Sequence, residues 1–153
     1  MGAGMKPLLV MALLLAAPAA ANPEAEVLAA TNAFMAALNK GDANAAEAMT
    51  HPTLTIQILR FPPEGGSKFQ ILSRQQLFDN FRNAPPRVFD EQLVKTNIRV
   101  TRDFAHVWAP YTLDIDGKRI HCGIDSFGWS KLEGKWVLTT FGWTADPKGC
   151  PPQ

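Results

Sequence analysis

Residues 118–144 read KRIHCGIDSFGWSKLEGKWVLTTFGWT, and this stretch decides the fold. It is rich in β-branched and aromatic residues, which favour strands. Glu133-Gly134 divides it, and Asp116-Gly117 stands directly before it. Asp-Gly is a strong signal for a two-residue hairpin turn, and Glu-Gly is a weaker one. The stretch therefore predicts two antiparallel strands, with residues 104–115 as the strand before them and residues 92–101 as one more.

The first half of the chain carries helical patterns instead. One face of a first helix, from Pro23 to a stop at Gly41, collects Val27, Thr31, Phe34 and Leu38. Asp42 and Ser73 are placed to cap helices over residues 43–49 and 74–82. Between them, residues 54–59 alternate as a strand, and residues 61–68 (FPPEGGSK) read as a loop. Helices followed by a meander predict an α+β domain, with N-terminal helices packed on one face of a curved antiparallel sheet.

The N-terminus has the pattern of a secretory signal peptide. Lys6 precedes an apolar run over residues 8–17, and the small residues 19–21 follow. This run is too short to span a bilayer, which takes about 20 residues. We expect cleavage after Ala21, a single domain over residues 22–153, no membrane attachment after cleavage, and a periplasmic or secreted protein.

Charge and cysteine content narrow the function classes. Without Lys6 the 15 basic side chains become 14, equal to the 14 acidic ones. No basic surplus is left to neutralise phosphates, so we expect no nucleic-acid partner. Cys122 and Cys150 are an even pair in an oxidising compartment. They favour one disulfide over two free thiols.

Counting from the two turns gives a predicted register. It places Trp108 opposite Asp125 and Phe127 opposite Thr140, because opposed residues share a face of the sheet. One face then collects His106, Trp108, His121, Asp125, Phe127, Trp129, Trp136, Leu138, Thr140 and Gly142. A bulge at Pro110 would shift residues 111–115 by one place. The other face, with Phe141 and Trp143, is also apolar, so we expect a homodimer through this outer sheet face.

The conspicuous polar residues allow several roles. His121 and Asp125 are four residues apart on a strand, roughly 13 Å, and Cys122 points to the opposite face, so we expect neither a metal nor a cofactor. Asp125 could act as an acid or base with His121, His106 or Tyr111. It could equally be structural or position a ligand. The predicted ligand-binding residues are Trp108, Tyr111, Asp125, Phe127, Trp129 and Thr140.

Two stretches carry a family resemblance. Residues 33–45 (AFMAALNKGDANA) resemble the first helices of the nuclear transport factor 2-like superfamily, the cone-shaped α+β roll of ketosteroid isomerase, scytalone dehydratase and polyketide-cyclase-like (SnoaL-like) proteins. Residues 107–150 resemble a group of exported bacterial members, some with a lumazine-binding label, that share Trp-x-Pro-Tyr, His-Cys-Gly-x-Asp-x-Phe and a terminal Gly-Cys. The signature residues here are Trp108, Tyr111, His121, Cys122, Asp125, Phe127 and Cys150.

The resemblance implies a cystatin-like cone with a conical pocket between helices and sheet, and it leaves three functions open. The first is an exported domain that binds a small, partly aromatic molecule. The second is a cofactor-independent isomerase, dehydratase or hydrolase that uses Asp125 with a histidine or a tyrosine. The third is a non-catalytic dimerisation or interaction domain. The superfamily's fold does not choose among them.

Overall fold

The computed structural model describes Met1 and residues 22–151, so the predicted signal peptide lies almost wholly outside the described residues. Three helices come from the first half of the chain: α1 (Pro23–Asn39), α2 (Ala43–Ala48) and α3 (Arg74–Asn83). Seven strands complete the fold: β1 (Thr50–Arg60), β2 (Lys68–Ser73), β3 (Phe89–Leu93), β4 (Asn97–Thr101), β5 (Phe104–Ile115), β6 (Lys118–Leu132) and β7 (Lys135–Ala145).

The helices begin where the sequence predicts, because a side chain satisfies the free backbone N–H groups of each first turn. Asn22 accepts from the backbone N–H groups of Glu24 and Ala25 in α1, and Asp42 accepts from that of Ala45 in α2. Ser73 and Gln76 form a reciprocal capping box at the start of α3. Within the described residues, no helix is long and apolar enough to cross a membrane.

All seven strands form one mixed sheet in the order β2-β1-β7-β6-β5-β3, and β4 pairs with β5 beyond the end of β3. The α+β prediction is confirmed. The sheet is nevertheless not wholly antiparallel, because β1 pairs in parallel with β7. One further prediction is wrong, because residues 92–101 form parts of two strands, β3 and β4. The loop predicted over residues 61–68 is present up to Ser67, and β2, which begins at Lys68, was not predicted.

The core lies between α1 and the face of the sheet that the helices cover, which we call the inner face. The Phe34 ring of α1 meets three rings of the sheet edge-on: Phe127 at 6.3 Å, Trp129 at 6.5 Å and Phe141 at 5.5 Å between centroids. Phe127 and Phe141 stack at 5.0 Å. This aromatic cluster joins the first helix to the two central strands, β6 and β7.

Both hairpin turns lie where the sequence predicts them, but each hairpin contains a bulge. The pairs Ile115–Lys118 and Leu132–Lys135 are as predicted. The register then slips by one at Ile120 in β6, and by one at Thr139 in β7. A one-residue slip moves side chains to the opposite face.

The predicted common face is therefore wrong in part. Asp125 lies opposite Ala109 and Trp143, whereas Trp108 lies opposite Ser126. His121, Asp125, Phe127 and Trp129 are on the inner face, together with Tyr111. The face that the helices leave open, here called the outer face, carries His106, Trp108, Thr140 and Gly142 instead.

Candidate functional site

A cavity of about 260 Å³ opens between α1, α3 and the inner face of the sheet. Its walls are mainly apolar and include Leu38, Ile58, Leu72, Leu77, Phe141 and Trp143. Its polar lining consists of Arg60, Asn80, Arg87, Glu91 and His121. Small-molecule sites are usually concave and mostly apolar, with a few polar groups in their walls.

Two carboxyl groups meet on one side of this cavity. Glu91 of β3 lines it, and Asp125 of β6 lies behind Glu91 with only 1% of its surface exposed. Burial raises the pKa of Asp125 well above its usual range, and the charge of Glu91 and a hydrogen bond to it raise it further. Burial also raises the pKa of Glu91, to about 7, partly offset by the hydrogen bond from Asp125. Asp125 is therefore the carboxyl group that keeps its proton.

The backbone of Glu91 is fixed by α1. The Asn39 side chain donates from Nδ2 to the Glu91 carbonyl at 2.9 Å, and its Oδ1 accepts from the Glu91 N–H at 2.9 Å. The Asn39 amide thus makes the two hydrogen bonds that a neighbouring strand would make, because it satisfies both the N–H and the carbonyl of Glu91. Asn39 thus holds β3 against the last turn of α1 and sets the position of Glu91.

A second polar group is built around Tyr111. Its hydroxyl donates to the carbonyl of Thr144 at 2.7 Å and lies 3.1 Å from Nδ1 of His121. A hydroxyl has one proton, so Nδ1 of a neutral His121 must donate to the tyrosine oxygen, which leaves Nε2 as an acceptor. Burial lowers the pKa of His121, and the positive charge of Arg60 lowers it further, which favours this neutral ring.

Gly123 permits the close approach that this arrangement needs. It lies opposite Tyr111, and a Cβ atom at this position would be 1.9 Å from the Thr144 carbonyl oxygen. That contact is with backbone, so any larger residue would push β7 away from β6. The same carbonyl accepts from Tyr111, so the glycine indirectly fixes the tyrosine and His121.

Two arginines with exposed side chains form the rim of the cavity. Arg60 Nη1 donates to the Gln70 amide oxygen at 2.8 Å, which leaves its charge unpaired. Among the ion pairs of residues 22–151, neither Arg60 nor Arg87 has an acidic partner. The cavity therefore has unpaired positive charge at its rim and an acidic pair deeper inside.

The predicted site residues divide between three places. His121 lines the cavity, and Asp125 and Tyr111 are buried directly behind its lining. Phe127 and Trp129 are fully buried core residues that do not line it. Trp108, Thr140 and His106 are on the outer face, where His106 Nε2 lies 2.9 Å from the Ser126 hydroxyl.

Sequence reasoning missed the two residues that define the cavity chemistry, Glu91 and Arg60. A signal for Glu91 was present: it stands between Phe89 and Leu93 at spacings of two, so a strand places all three on one face. An acidic residue in the middle of an apolar strand face is unusual enough to mark a site. Arg60 similarly follows Ile56 and Ile58 on the buried side of β1.

The outer face has a groove of its own, with a volume of about 410 Å³. Trp108, 50% exposed, and Phe69, 62% exposed, line it together with Ile124, Thr140 and Thr144. Ile71 of the edge strand β2 is exposed nearby in the chain. The outer face is apolar, as predicted, but its predicted members Phe141 and Trp143 are wrong. The bulge at Thr139 places both on the inner face, where Phe141 packs on Phe34 and Trp143 lines the cavity.

The predicted disulfide is confirmed. Cys122 on the outer side of β6 is bonded to Cys150, with their Cα atoms 5.0 Å apart. Backbone hydrogen bonds of 3.2 and 2.8 Å join Cys122 and Asp146 in both directions. The C-terminal segment is thus tied back to β6. Over residues 22–151, no three His, Cys, Asp or Glu side chains are grouped as a metal site.

Comparison with known proteins places the fold. The hub homology domain of CamKII from Chlamydomonas reinhardtii is 18% identical and has a TM-score of 0.63, over 82% of this chain and 98% of that one. An NTF2-like protein from Cytophaga hutchinsonii is 16% identical with a TM-score of 0.64, over 82% and 99%. The S. rosetta CaMKII hub is 20% identical with a TM-score of 0.60, over 83% and 99%. At these identities the likeness shows the fold alone.

The sequence itself gives the family. No curated protein matches the chain at a significant level. The family model of the calcium/calmodulin dependent protein kinase II association domain, however, matches residues 23–147, which is nearly all of the described chain. The predicted nuclear transport factor 2-like superfamily is confirmed, since this association domain is NTF2-like. The chain belongs to the calcium/calmodulin dependent protein kinase II association domain family.

Proposed function

We propose that the protein binds a small molecule in the cavity between the helices and the sheet. The observation that carries this proposal is the Glu91–Asp125 pair, two neighbouring carboxyl groups that form no ion pair with any cationic side chain of residues 22–151. Such a pair destabilises the fold, since each buried carboxyl loses hydration and like charges repel. Perturbed carboxyl groups in a cavity are typical of functional sites.

A cavity-filling variant tests the proposal. Leu72 lines the cavity from β2 and is nearly buried, so Leu72→Trp should occupy the space without touching the carboxyl pair. A ligand at 100 times its dissociation constant stabilises the native state by about 2.7 kcal/mol. In a screen of small molecules, we expect some to raise the melting temperature of the native protein by several degrees and to leave Leu72→Trp unchanged. Equal shifts in both proteins would place the binding elsewhere.

We propose further that the chain functions outside the cytoplasm. The disulfide between Cys122 and Cys150 supports this, because such bonds persist in oxidising compartments. The signal pattern in residues 1–21 supports it independently. When the complete chain is expressed in a bacterium, the protein outside the cytoplasm should begin at Asn22. Full-length protein confined to the cytoplasm would contradict export.

A second candidate function is proton-transfer catalysis by Glu91. Its pKa of about 7 lets this residue both take up and release a proton near neutral pH, which is what a general acid or base needs. Asp125, a candidate acid or base from the sequence, would instead raise or lower the pKa of Glu91 according to its own protonation state, since the two carboxyl groups are neighbours. For a bound molecule with an acidic C–H group, the native protein in D2O should exchange that hydrogen for deuterium, and Glu91→Gln should not. Exchange that survives in the variant would assign any catalysis to another group.

The outer face supports a proposal about self-association. We propose a homodimer in which the Trp108 groove of one copy packs on that of a second copy. The apolar groove supports this, and so does the membership of a family named for association. Trp108→Asp should convert a dimer to a monomer in sedimentation velocity, whereas Glu64→Gln, an exposed loop residue, should not. A monomeric native protein at micromolar concentration would contradict the proposal.

A further inference from the structure

Within residues 22–151, the charged side chains around the cavity lack partners at both of its ends. Deep inside, no ion pair of residues 22–151 includes Glu91 or Asp125, and Asp125 Oδ2 is buried without a hydrogen-bond partner among these residues. At the rim, Arg60 and Arg87 have no carboxylate. Unpaired charge in a sheltered site becomes favourable when a ligand of opposite charge arrives.

The two charged ends do not neutralise each other in the empty protein. Among the ion pairs of residues 22–151, none joins Arg60 or Arg87 to Glu91 or Asp125. Ile58 and Trp143 line the cavity, and Trp143 lies between Ile58 and Asp125 in the sheet. A molecule with a short apolar body could therefore reach both ends at once.

We infer that the cavity takes a small amphoteric molecule, whose primary ammonium group lies against Glu91 and whose acidic group lies at Arg60 and Arg87. This inference rests on the proposed binding function and adds the class of ligand. The ammonium group would donate to the Glu91 carboxylate, and His121 Nε2 is available as a neutral acceptor beside it. The planar arginine groups suit a carboxylate or a phosphate at the rim.

The titration of Glu91 gives the inference a pH signature. The groups that face it are Asp125 from β6, with Tyr111 from β5 and His121 from β6 nearby, while α1 contributes the uncharged Asn39. A bound ammonium group favours the ionised form of Glu91. Ligand binding should therefore release protons at pH 6 to 7. The affinity for an amine should also rise with pH until Glu91 is ionised in the empty protein.

Three probes of the same shape test the inference by isothermal titration calorimetry: 4-(aminomethyl)benzoate, 4-methylbenzylamine and 4-methylbenzoate. The neutral 4-methylbenzyl alcohol completes the set. We expect 4-(aminomethyl)benzoate to bind at least about tenfold more tightly than either singly charged probe, the gain of one charge-assisted hydrogen bond. Repeating the titration in buffers of different ionisation enthalpy should show proton release for the two amines only.

Variants of Glu91 and Arg60 test which residue binds the ammonium group of the ligand and which binds its acidic group. Glu91→Gln should weaken the binding of both amines about tenfold or more and leave that of 4-methylbenzoate unchanged. Arg60→Gln should weaken the binding of both carboxylates, 4-(aminomethyl)benzoate and 4-methylbenzoate, and leave that of 4-methylbenzylamine unchanged. Glu64→Gln should change nothing. Circular dichroism shows whether each variant is folded. If Glu91→Gln does not fold, Asp125→Asn provides a second test of the carboxyl pair.

The outcomes separate this inference from the binding function on which it rests. If the alcohol or 4-methylbenzoate binds as tightly as the amphoteric probe, the cavity binds small molecules and the ligand class is wrong. If Glu91→Gln leaves the affinity for both amines unchanged, Glu91 does not bind the ammonium group. If none of the four probes binds, and the ligand screen also yields nothing, the binding function fails as well.

Discussion

Replacing Glu91 by glutamine should remove most of the loss of stability that the native protein undergoes at neutral pH. The pKa of Glu91 in the folded protein is about 7, against 4.5 for an ordinary glutamate. A group whose pKa is raised on folding binds protons more tightly in the folded state. Its favourable contribution is complete below pH 4.5 and is lost as the pH rises through about 7.

The size of this loss follows from the shift. Each pKa unit corresponds to 1.36 kcal/mol, so a rise from 4.5 to about 7 corresponds to about 3 kcal/mol between pH 4 and pH 8. Since Glu91 is partly accessible from the cavity, this figure is an upper limit. Asp125 adds to the effect in the same direction, because the Glu91 charge is one cause of its own raised pKa.

Urea unfolding at pH 5 and pH 8 provides the assay. The lowered pKa of His121 makes stability rise as the pH increases through its titration range, which opposes the effect of Glu91. Comparing the variant with the native protein at each pH removes this contribution. Between pH 5 and pH 8, we expect the free energy of unfolding of Glu91→Gln to rise by about 2 to 3 kcal/mol relative to that of the native protein. The exposed control Glu64→Gln should gain nothing. A native protein and a Glu91→Gln variant with parallel pH profiles would refute the account of the carboxyl pair.

Three further predictions concern the surroundings of the site. Asn39→Ala removes both hydrogen bonds to the Glu91 backbone, so it should lower the free energy of unfolding in urea by about 1 to 3 kcal/mol and increase amide hydrogen exchange in β3. Unchanged exchange in β3 would contradict the role of Asn39. Replacing Cys122 and Cys150 together by serine should cost on the order of 3 kcal/mol for a loop of this length, whereas alkylation of the unreduced native protein at either cysteine would reject the bond. If the outer face forms the dimer, the melting temperature of the native protein should rise with protein concentration and that of Trp108→Asp should not, because the variant buries no partner surface there; equal concentration dependence in both proteins would contradict the dimer.

Local signals in the sequence predicted much of the fold. Asn22, Asp42 and Ser73 are next to the helices that they cap, and the hairpin turns at 116–117 and 133–134 are two-residue signals. The parallel pairing of β1 with β7 joins segments about 85 residues apart, for example Ile56 and Phe141. Such a pairing depends on how the whole sheet assembles, and no local pattern specifies it.

The register errors have a specific cause. Strands β5, β6 and β7 carry apolar residues on both faces, with Trp108 outside and Trp129 inside, so a slip of one residue exchanges one apolar pattern for another. The bulges at Ile120 and Thr139 therefore left no trace in the hydrophobic pattern. The alternation that places His121 and Asp125 on one face of β6, and Cys122 on the other, was independent of these slips and was confirmed.

The acidic pair was beyond the reach of the sequence for a different reason. Asp125 stood out because its own strand is aromatic, but its partner Glu91 comes from a strand that the sequence merged with its neighbour. The two carboxyl groups meet only because β5 lies between β3 and β6 in the sheet and Asn39 holds β3 from the helix side. The chemistry of the cavity is thus a product of tertiary structure, while its position between helices and sheet was predicted from the fold.

The most direct measurement of the central claim is native mass spectrometry of the purified protein. We expect a species whose mass exceeds that of the denatured polypeptide from the same sample by one small molecule, and the loss of that molecule in Leu72→Trp. A native protein that carries no added mass there, and binds no compound in the screen, would contradict the claim that the cavity is a binding site.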